Sequence, residues 1–199
     1  MIGYASRTGT RRNLDALRAA GWRLLVSARG VLRSEGFGYA LDNGAWTAHQ
    51  RGEAFDEDAF VEAVDRLGDG ADWIVAPDIV AGGLESLAYS VSWLPRLRGR
   101  RVLIAVQDGM TPEDVAPYLS ERIGVAIGGS TEWKEAQLVG RVWRASYLHA
   151  LRVNTARRIR LCHWAGVDSF DGSSASRFVS TLPLLDRARR APCLPLGVA

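Results

Sequence analysis

Eight short apolar runs recur along the chain, and all but one are followed by a stretch whose apolar residues repeat at helical spacing. The runs are Ile2 to Ala5, Arg23 to Ser27, Gly38 to Asp42, Trp73 to Ala76, Val102 to Val106, Gly124 to Ile127, Leu148 to Leu151 and Val167 to Phe170. Helices are predicted over Arg11 to Ala20, Asp56 to Leu67, Leu84 to Leu97, Pro112 to Leu119, Glu132 to Trp143, Thr155 to Trp164 and Ser174 to Ala188. The exception is the connection between the second and third runs, a loop marked by Gly30 and Gly36. Alternating strands and helices imply parallel strands joined by right-handed crossovers, and eight strands is the number that closes a barrel. The expectation is an α/β fold, a compact (β/α)8 TIM-like barrel, with an open doubly wound sheet as the alternative. The 199 residues fall short of the roughly 250 typical of that barrel. A trimmed barrel forming a single domain over 1–199 follows, since no linker, low-complexity tract or repeat divides the chain.

Nearly half of the chain, 47%, is apolar, enough to bury a core without metals or disulfides. Cys162 and Cys193 lie far apart and outside any CxxC pattern, which argues against a disulfide framework and a Cys-rich zinc site. His49, His149 and His163 show no metal spacing and are expected to be structural or on the surface. No metal and no cofactor is expected. Met1-Ile2-Gly3-Tyr4 runs directly into a strand, and no apolar stretch approaches about 18 residues. The expected setting is the cytoplasm, with no export signal or membrane span. Of the 25 basic residues Lys134 is the only lysine. Arginine suits phosphate, and the clusters Arg11-Arg12, Arg98 to Arg101, Arg157-Arg158 and Arg189-Arg190 permit a nucleic-acid backbone as partner, although a GC-rich genome also enriches arginine.

In a parallel α/β protein the active site lies at the carboxyl ends of the strands. Polar residues gather there: Asp42-Asn43-Gly44-Ala45-Trp46, Pro77-Asp78, Gln107-Asp108-Gly109-Met110, Gly128-Gly129-Ser130, Arg152-Val153-Asn154 and Asp168-Ser169-Phe170-Asp171-Gly172. Taken singly, an Asp or Asn after a strand often only caps a helix or makes a turn. A barrel brings all these loops to one mouth, where carboxylates shift one another's pKa unless they have distinct jobs. Asp168 is read as leaning to a structural role, and Trp22, Trp73, Trp93 and Trp143 as packing residues.

These loops resemble, in order from about Gly38 to Arg177, those of the tRNA-guanine transglycosylase superfamily. They are most similar to its DNA-acting branch, the DpdA-type 7-deazaguanine transglycosylases often carried by phages. Gly166-Val167-Asp168-Ser169-Phe170-Asp171 looks like the segment whose second aspartate is the nucleophile, which implies that role for Asp171. Asp42-Asn43-Gly44-Ala45-Trp46 is similar to the Asp-Ser-Gly-Gly-Phe motif, implying acid/base work for Asp42. Val106-Gln107-Asp108-Gly109-Met110 resembles a Val-Gln-Gly-Gly-Met stretch, and Ile127-Gly128-Gly129-Ser130 a Gly-Gly turn that holds the incoming base.

The resemblance implies that Asp78 reads the base, that Gln107 and the Gly128-Gly129 N–H groups donate to its carbonyl, and that Asn43, Ser130 and Asn154 belong to the binding site. Tyr39, Trp46 and Met110 are candidate walls, and Arg152 and Arg177, near the mouth, are candidates either to hold a phosphate or to form ion pairs. The chain departs from the tRNA enzymes in having no Cys-rich zinc subdomain near its C-terminus. The implied activity is a pentosyltransferase that replaces guanine in DNA by a free 7-deazaguanine base, in the host cytoplasm if phage-encoded, with a protein partner or a homodimer possible. Base exchange or hydrolysis on free nucleosides and nucleotides, and a partner-dependent nucleic-acid-binding subunit, are the alternatives.

Overall fold

A computed structural model describes residues 1–178 and 180–191; Cys193 lies outside the described residues. Eight parallel strands form a closed barrel in chain order: β1 (Ile2–Ser6), β2 (Arg23–Ser27), β3 (Tyr39–Asp42), β4 (Ile74–Val75), β5 (Val102–Val106), β6 (Ile123–Ile127), β7 (Leu148–Ala150) and β8 (Ser169–Gly172). Closure is made by β1 pairing with β8, Tyr4 beside Asp171. The helices are α1 (Arg11–Ala20), α2 (Ala45–Arg51), α3 (Glu57–Leu67), α4 (Gly83–Trp93), α5 (Pro112–Val115), α6 (Thr131–Gly140), α7 (Ala156–Ala165), α8 (Ser174–Arg177) and α9 (Leu182–Arg190). The trimmed (β/α)8 barrel is therefore the fold, and the open sheet is excluded.

Strand alternation divides the core in two. On β5, Val102, Ile104 and Val106 face outward and join Leu24, Val26, Leu41, Val125, Ile127 and Phe170 under the helices. Leu103 and Ala105 face inward and fill the lumen with Tyr4, Leu25, Ala40, Trp73, Val75 and Ala126. The lumen is thus a packed core that closes the barrel below the mouth.

Four predicted helices are shorter than their periodicity suggests: α6 ends at Gly140, three residues before the expected Trp143, where Arg141 takes a left-handed conformation, and the other three expected stretches contain a proline. Pro95 falls in a 3-10 turn, Leu94–Leu97, after α4. Pro117 falls in another, Ala116–Tyr118, after α5. Pro183 sits in the first turn of α9, so the stretch read as Ser174 to Ala188 is two helices, α8 and α9. Proline lacks an N–H and clashes with the preceding turn, so it begins helices and does not continue them.

The last strand is displaced too. Gly166, at φ 77, ends α7 in a left-handed cap, and the N–H of Val167 returns to the carbonyl of Cys162 at 3.0 Å. Val167 therefore belongs to the helix cap, and β8 begins at Ser169. Asp171, read as lying just after the strand, is inside it.

Candidate active site

Because Ser169 and Asp171 alternate with the outward Phe170, both point into the lumen from β8. Asp171 is buried, 5% exposed. Its Oδ1 accepts the backbone N–H of Arg152 at 2.9 Å and lies 3.2 Å from Nε2 of His149. A carboxylate oxygen only accepts, so Nε2 carries the proton, Nδ1 accepts, and the hydroxyl of Ser169, at 2.7 Å, donates. His149 is wholly buried, and burial lowers its pKa despite the hydrogen bond to Asp171, so it serves as a neutral donor. Both hydrogen bonds thus go to Oδ1, while Oδ2 has no hydrogen-bond partner among the described residues.

Asp42 closes β3 on the same inner surface, beside Ser27 of β2. Its pKa is pushed up to about 7, first by burial and then by the charges of Asp171 and Asp78. A hydrogen bond with the Ser27 side chain and the N–H of Gly44, 3.2 Å from Oδ2, act in the opposite direction. Gly44 turns the chain at φ 85, where a Cβ would meet Cγ of Arg29 at 2.6 Å, and α2 starts directly after it. The sequence reading contained no helix here; the Asp-Asn-Gly turn delivers the chain into one.

Asn43 is buried and fully engaged. Its Nδ2 donates to the Ala76 carbonyl and to Oδ1 of Asp78, each at 2.7 Å, and its Oδ1 accepts from Ala45 N–H at 2.8 Å. Its contacts position Asp78. Burial raises the Asp78 pKa, while Asn43 and the charge of Arg152 restrain the rise. Gln107 is likewise a clasp: it accepts from Ala81 N–H at 2.7 Å and donates to the Ile79 carbonyl at 2.8 Å, pinning the loop that follows Asp78.

Several expected contacts are occupied or displaced. The N–H of Gly128 continues the barrel ladder to Val106 at 2.8 Å and is not free for a base carbonyl; the N–H of Gly129 has no acceptor among the described residues. Ser130 caps α6 and gives its N–H and hydroxyl to Asp108, both at 2.6 Å. Burial opposes the charge on Asp108, but these bonds and Arg152 hold its pKa low. Where the resembled motif has glycine, this chain therefore ties two mouth loops together. Asn154 accepts from Ser174 N–H at 2.9 Å, linking the loop after β7 to α8. Asp168 accepts from Leu148 N–H at 2.8 Å, as a structural residue.

Two proposed walls lie elsewhere. The Tyr39 hydroxyl donates to the Leu67 carbonyl at 2.7 Å, near the segment entering β4, because the first residue of β3 stands at the end of the barrel opposite the mouth. Met110 is buried in the layer beneath the helices. Trp46 does stand at the mouth, 39% exposed. The guanidinium of Arg152 lies 3.9 Å from its ring centroid and donates to the Gly129 carbonyl at 2.6 Å. Arg152, at φ 57, bridges the mouth from β7 to α2 and faces the charges of Asp171, Asp78 and Asp108. Arg177 is exposed at the end of α8 with no ion pair among the described residues.

Sequence reasoning missed His149, Ser169 and Lys134 as parts of this environment. The signal for the first two was parity: a histidine in mid-strand and a serine two residues before Asp171 both point inward once the register is known. Among the described residues no group of three or more His, Cys, Asp or Glu could hold a metal, and no helix is long and apolar enough to cross a membrane. No family model matches the chain and no curated protein matches its sequence.

Proposed function

We propose that the protein is a pentosyltransferase that exchanges guanine in DNA for a 7-deazaguanine base, such as 7-cyano-7-deazaguanine, through a covalent aspartyl-sugar intermediate. The observation that carries this reading is a pair of inward carboxylates with different environments. Asp171 is anchored through one oxygen alone, and Asp42 carries a pKa of about 7. Two carboxyl groups made unlike by their surroundings divide nucleophile from acid/base.

In the first step Oδ2 of Asp171 bonds to the anomeric carbon as the bond to guanine breaks, and protonated Asp42 supplies the proton the leaving base needs. In the second, Asp42 takes the proton from the incoming base, whose nitrogen displaces Asp171 and frees its carboxylate. Two inversions retain the anomeric configuration. Asp78, held by Asn43, accepts from the N–H and amine edge of a guanine-type base, and the Gly129 N–H is the backbone donor left for its carbonyl. Trp46 offers a stacking face once Arg152 moves from it. Adenine would leave these polar groups unpaired and be rejected.

The test is to incubate the protein with guanine-containing DNA and radiolabelled 7-cyano-7-deazaguanine. Label in the polymer with wild type and none with Asp171→Ala is expected. Label in free nucleosides alone would replace DNA by a small acceptor, and label in neither would refute base exchange.

A further inference from the structure

Lys134 lies on α6, 3% exposed. Among the described residues its ammonium has no ion pair; Nζ donates to the carbonyl of Leu151 at the end of β7. Burying a cation without a paired anion is costly, and an apolar side chain would fill such a slot more cheaply. What the ammonium does reach is informative. The Leu151 carbonyl and the Arg152 N–H are the two ends of one peptide unit, and that N–H donates to Oδ1 of Asp171 at 2.9 Å. The same peptide leads into Arg152 at φ 57, a conformation that side-chain-bearing residues rarely adopt.

We propose that Lys134 is a positioning residue that acts on Asp171 through the Leu151–Arg152 peptide, fixing its orientation and strengthening the N–H that anchors Oδ1. The inference rests on Asp171 being the nucleophile. Hydrogen bonds in a chain polarise one another, so a charged donor on the carbonyl makes the N–H a better donor at the far end. With Oδ1 held, the attack falls to Oδ2. The charged and titratable groups around Lys134 are Asp171 on β8, His149 on β7, Arg152 after it, Arg158 and Cys162 on α7, and the adjacent Glu135. Burial first, then the charge of Arg152, brings the Lys134 pKa down to about 8, with Asp171 opposing.

The experiment follows the Arg152 amide by NMR from roughly pH 6 to 10, across the range in which Lys134 loses its proton, in wild type, Lys134→Met and Lys134→Arg. The wild-type amide is expected to shift with an inflection near pH 8 that Lys134→Met abolishes, and Lys134→Arg to hold a displaced amide without titrating. In base exchange, Lys134→Met should lower kcat roughly tenfold, the loss of one charge-assisted hydrogen bond, with KM unchanged and rescue by Lys134→Arg. An Arg152 amide without an alkaline inflection in wild type, or one the same in all three proteins, overturns the proposal; the comparison of wild type with Lys134→Arg, which keeps the charge but does not titrate in this range, separates Lys134 from Asp42 and decides it even if Lys134→Met does not fold. An unchanged kcat in Lys134→Met overturns it as well. Wild type inactive in base exchange, with an Arg152 amide that still follows Lys134, would refute the transglycosylase reading and leave the coupling of Lys134 to the Asp171 anchor standing.

Discussion

Asp171 is held at Oδ1 by two donors, and the consequences for each partner differ. If Asp171 is the nucleophile, as proposed, exchange by Asp171→Ala should fall by at least about 10³-fold, with the covalent adduct lost from mass spectra of trapped reactions. His149→Ala leaves Oδ1 of Asp171 on the Arg152 N–H alone and Ser169 without its acceptor; kcat should fall roughly 10–100-fold, the worth of a hydrogen bond to a charged group. An unaltered kcat in that variant would remove His149 from the mechanism. Asp42 makes a different prediction. Its folded pKa, about 7, lies above the ordinary 3.8, so the native state keeps a proton that the unfolded chain releases. The associated stability is fully present below the unfolded value and is lost as pH rises through about 7. Asp42→Asn should therefore be stabilised more at pH 8 than at pH 5, by on the order of 2 kcal/mol, or a few degrees in Tm; an equal gain at both pH values would contradict the raised pKa. Asp42 and Asp78 were legible as residues at strand ends. His149 and Lys134 were not, because their partners are set by the stagger of neighbouring strands and by a helix packed behind them, which local pattern does not encode.

At the scale of elements, apolar runs located all eight strands because buried parallel strands read as continuous hydrophobic segments. Helix ends were misread where periodicity continued past Pro95 or Pro117, which carried a stop signal, across Pro183, which opens α9, and past Gly140, where Arg141 turns left-handed to end α6. The start of β8 depended on a cap: Gly166 claims Val167 for α7, and only then does alternation turn Asp171 inward. The loop before α6 allows a direct test. Gly129 sits at φ 71, and a Cβ there would meet Oδ2 of Asp108 at 2.4 Å and Trp133 at 2.9 Å. Gly129→Ala should push Asp108 off Ser130, uncap α6 and disturb the carbonyl that holds Arg152. A loss of about 2 kcal/mol or more is expected from strain and the broken clamp, read as a lowered Tm; a wild-type Tm would mean the loop relaxes without cost.

At the scale of the whole molecule, the direction of the strands sorts the arginines into two ends that the sequence presents as equivalent clusters. Arg11 and Arg12 open α1 just after β1, and Arg177 closes α8 just after β8, so all three stand on the mouth side. Asn13 joins these helices by donating to the Ser176 carbonyl at 2.6 Å. The three are exposed and have no ion pair among the described residues. By contrast, Arg98, Arg100, Arg101 and Arg122 precede β5 and β6 and line a cleft of about 450 Å3 at the opposite end, where Arg100 pairs with Asp69. On the proposed reading, a DNA strand delivering a flipped guanine to Asp171 would cross the first group, which stands at the mouth, and not the second, which stands at the opposite end. Each phosphate contact contributes about 0.9 to the slope of log affinity against log salt. The combined Arg11→Gln, Arg12→Gln and Arg177→Gln variant should therefore lower that slope by about 2 to 3, while Arg98→Gln with Arg122→Gln leaves it unchanged. Fluorescence anisotropy on a labelled duplex across a salt series measures both. A slope that responds only to the Arg98 and Arg122 pair would put the DNA at the wrong end of the barrel for Asp171 to act on it.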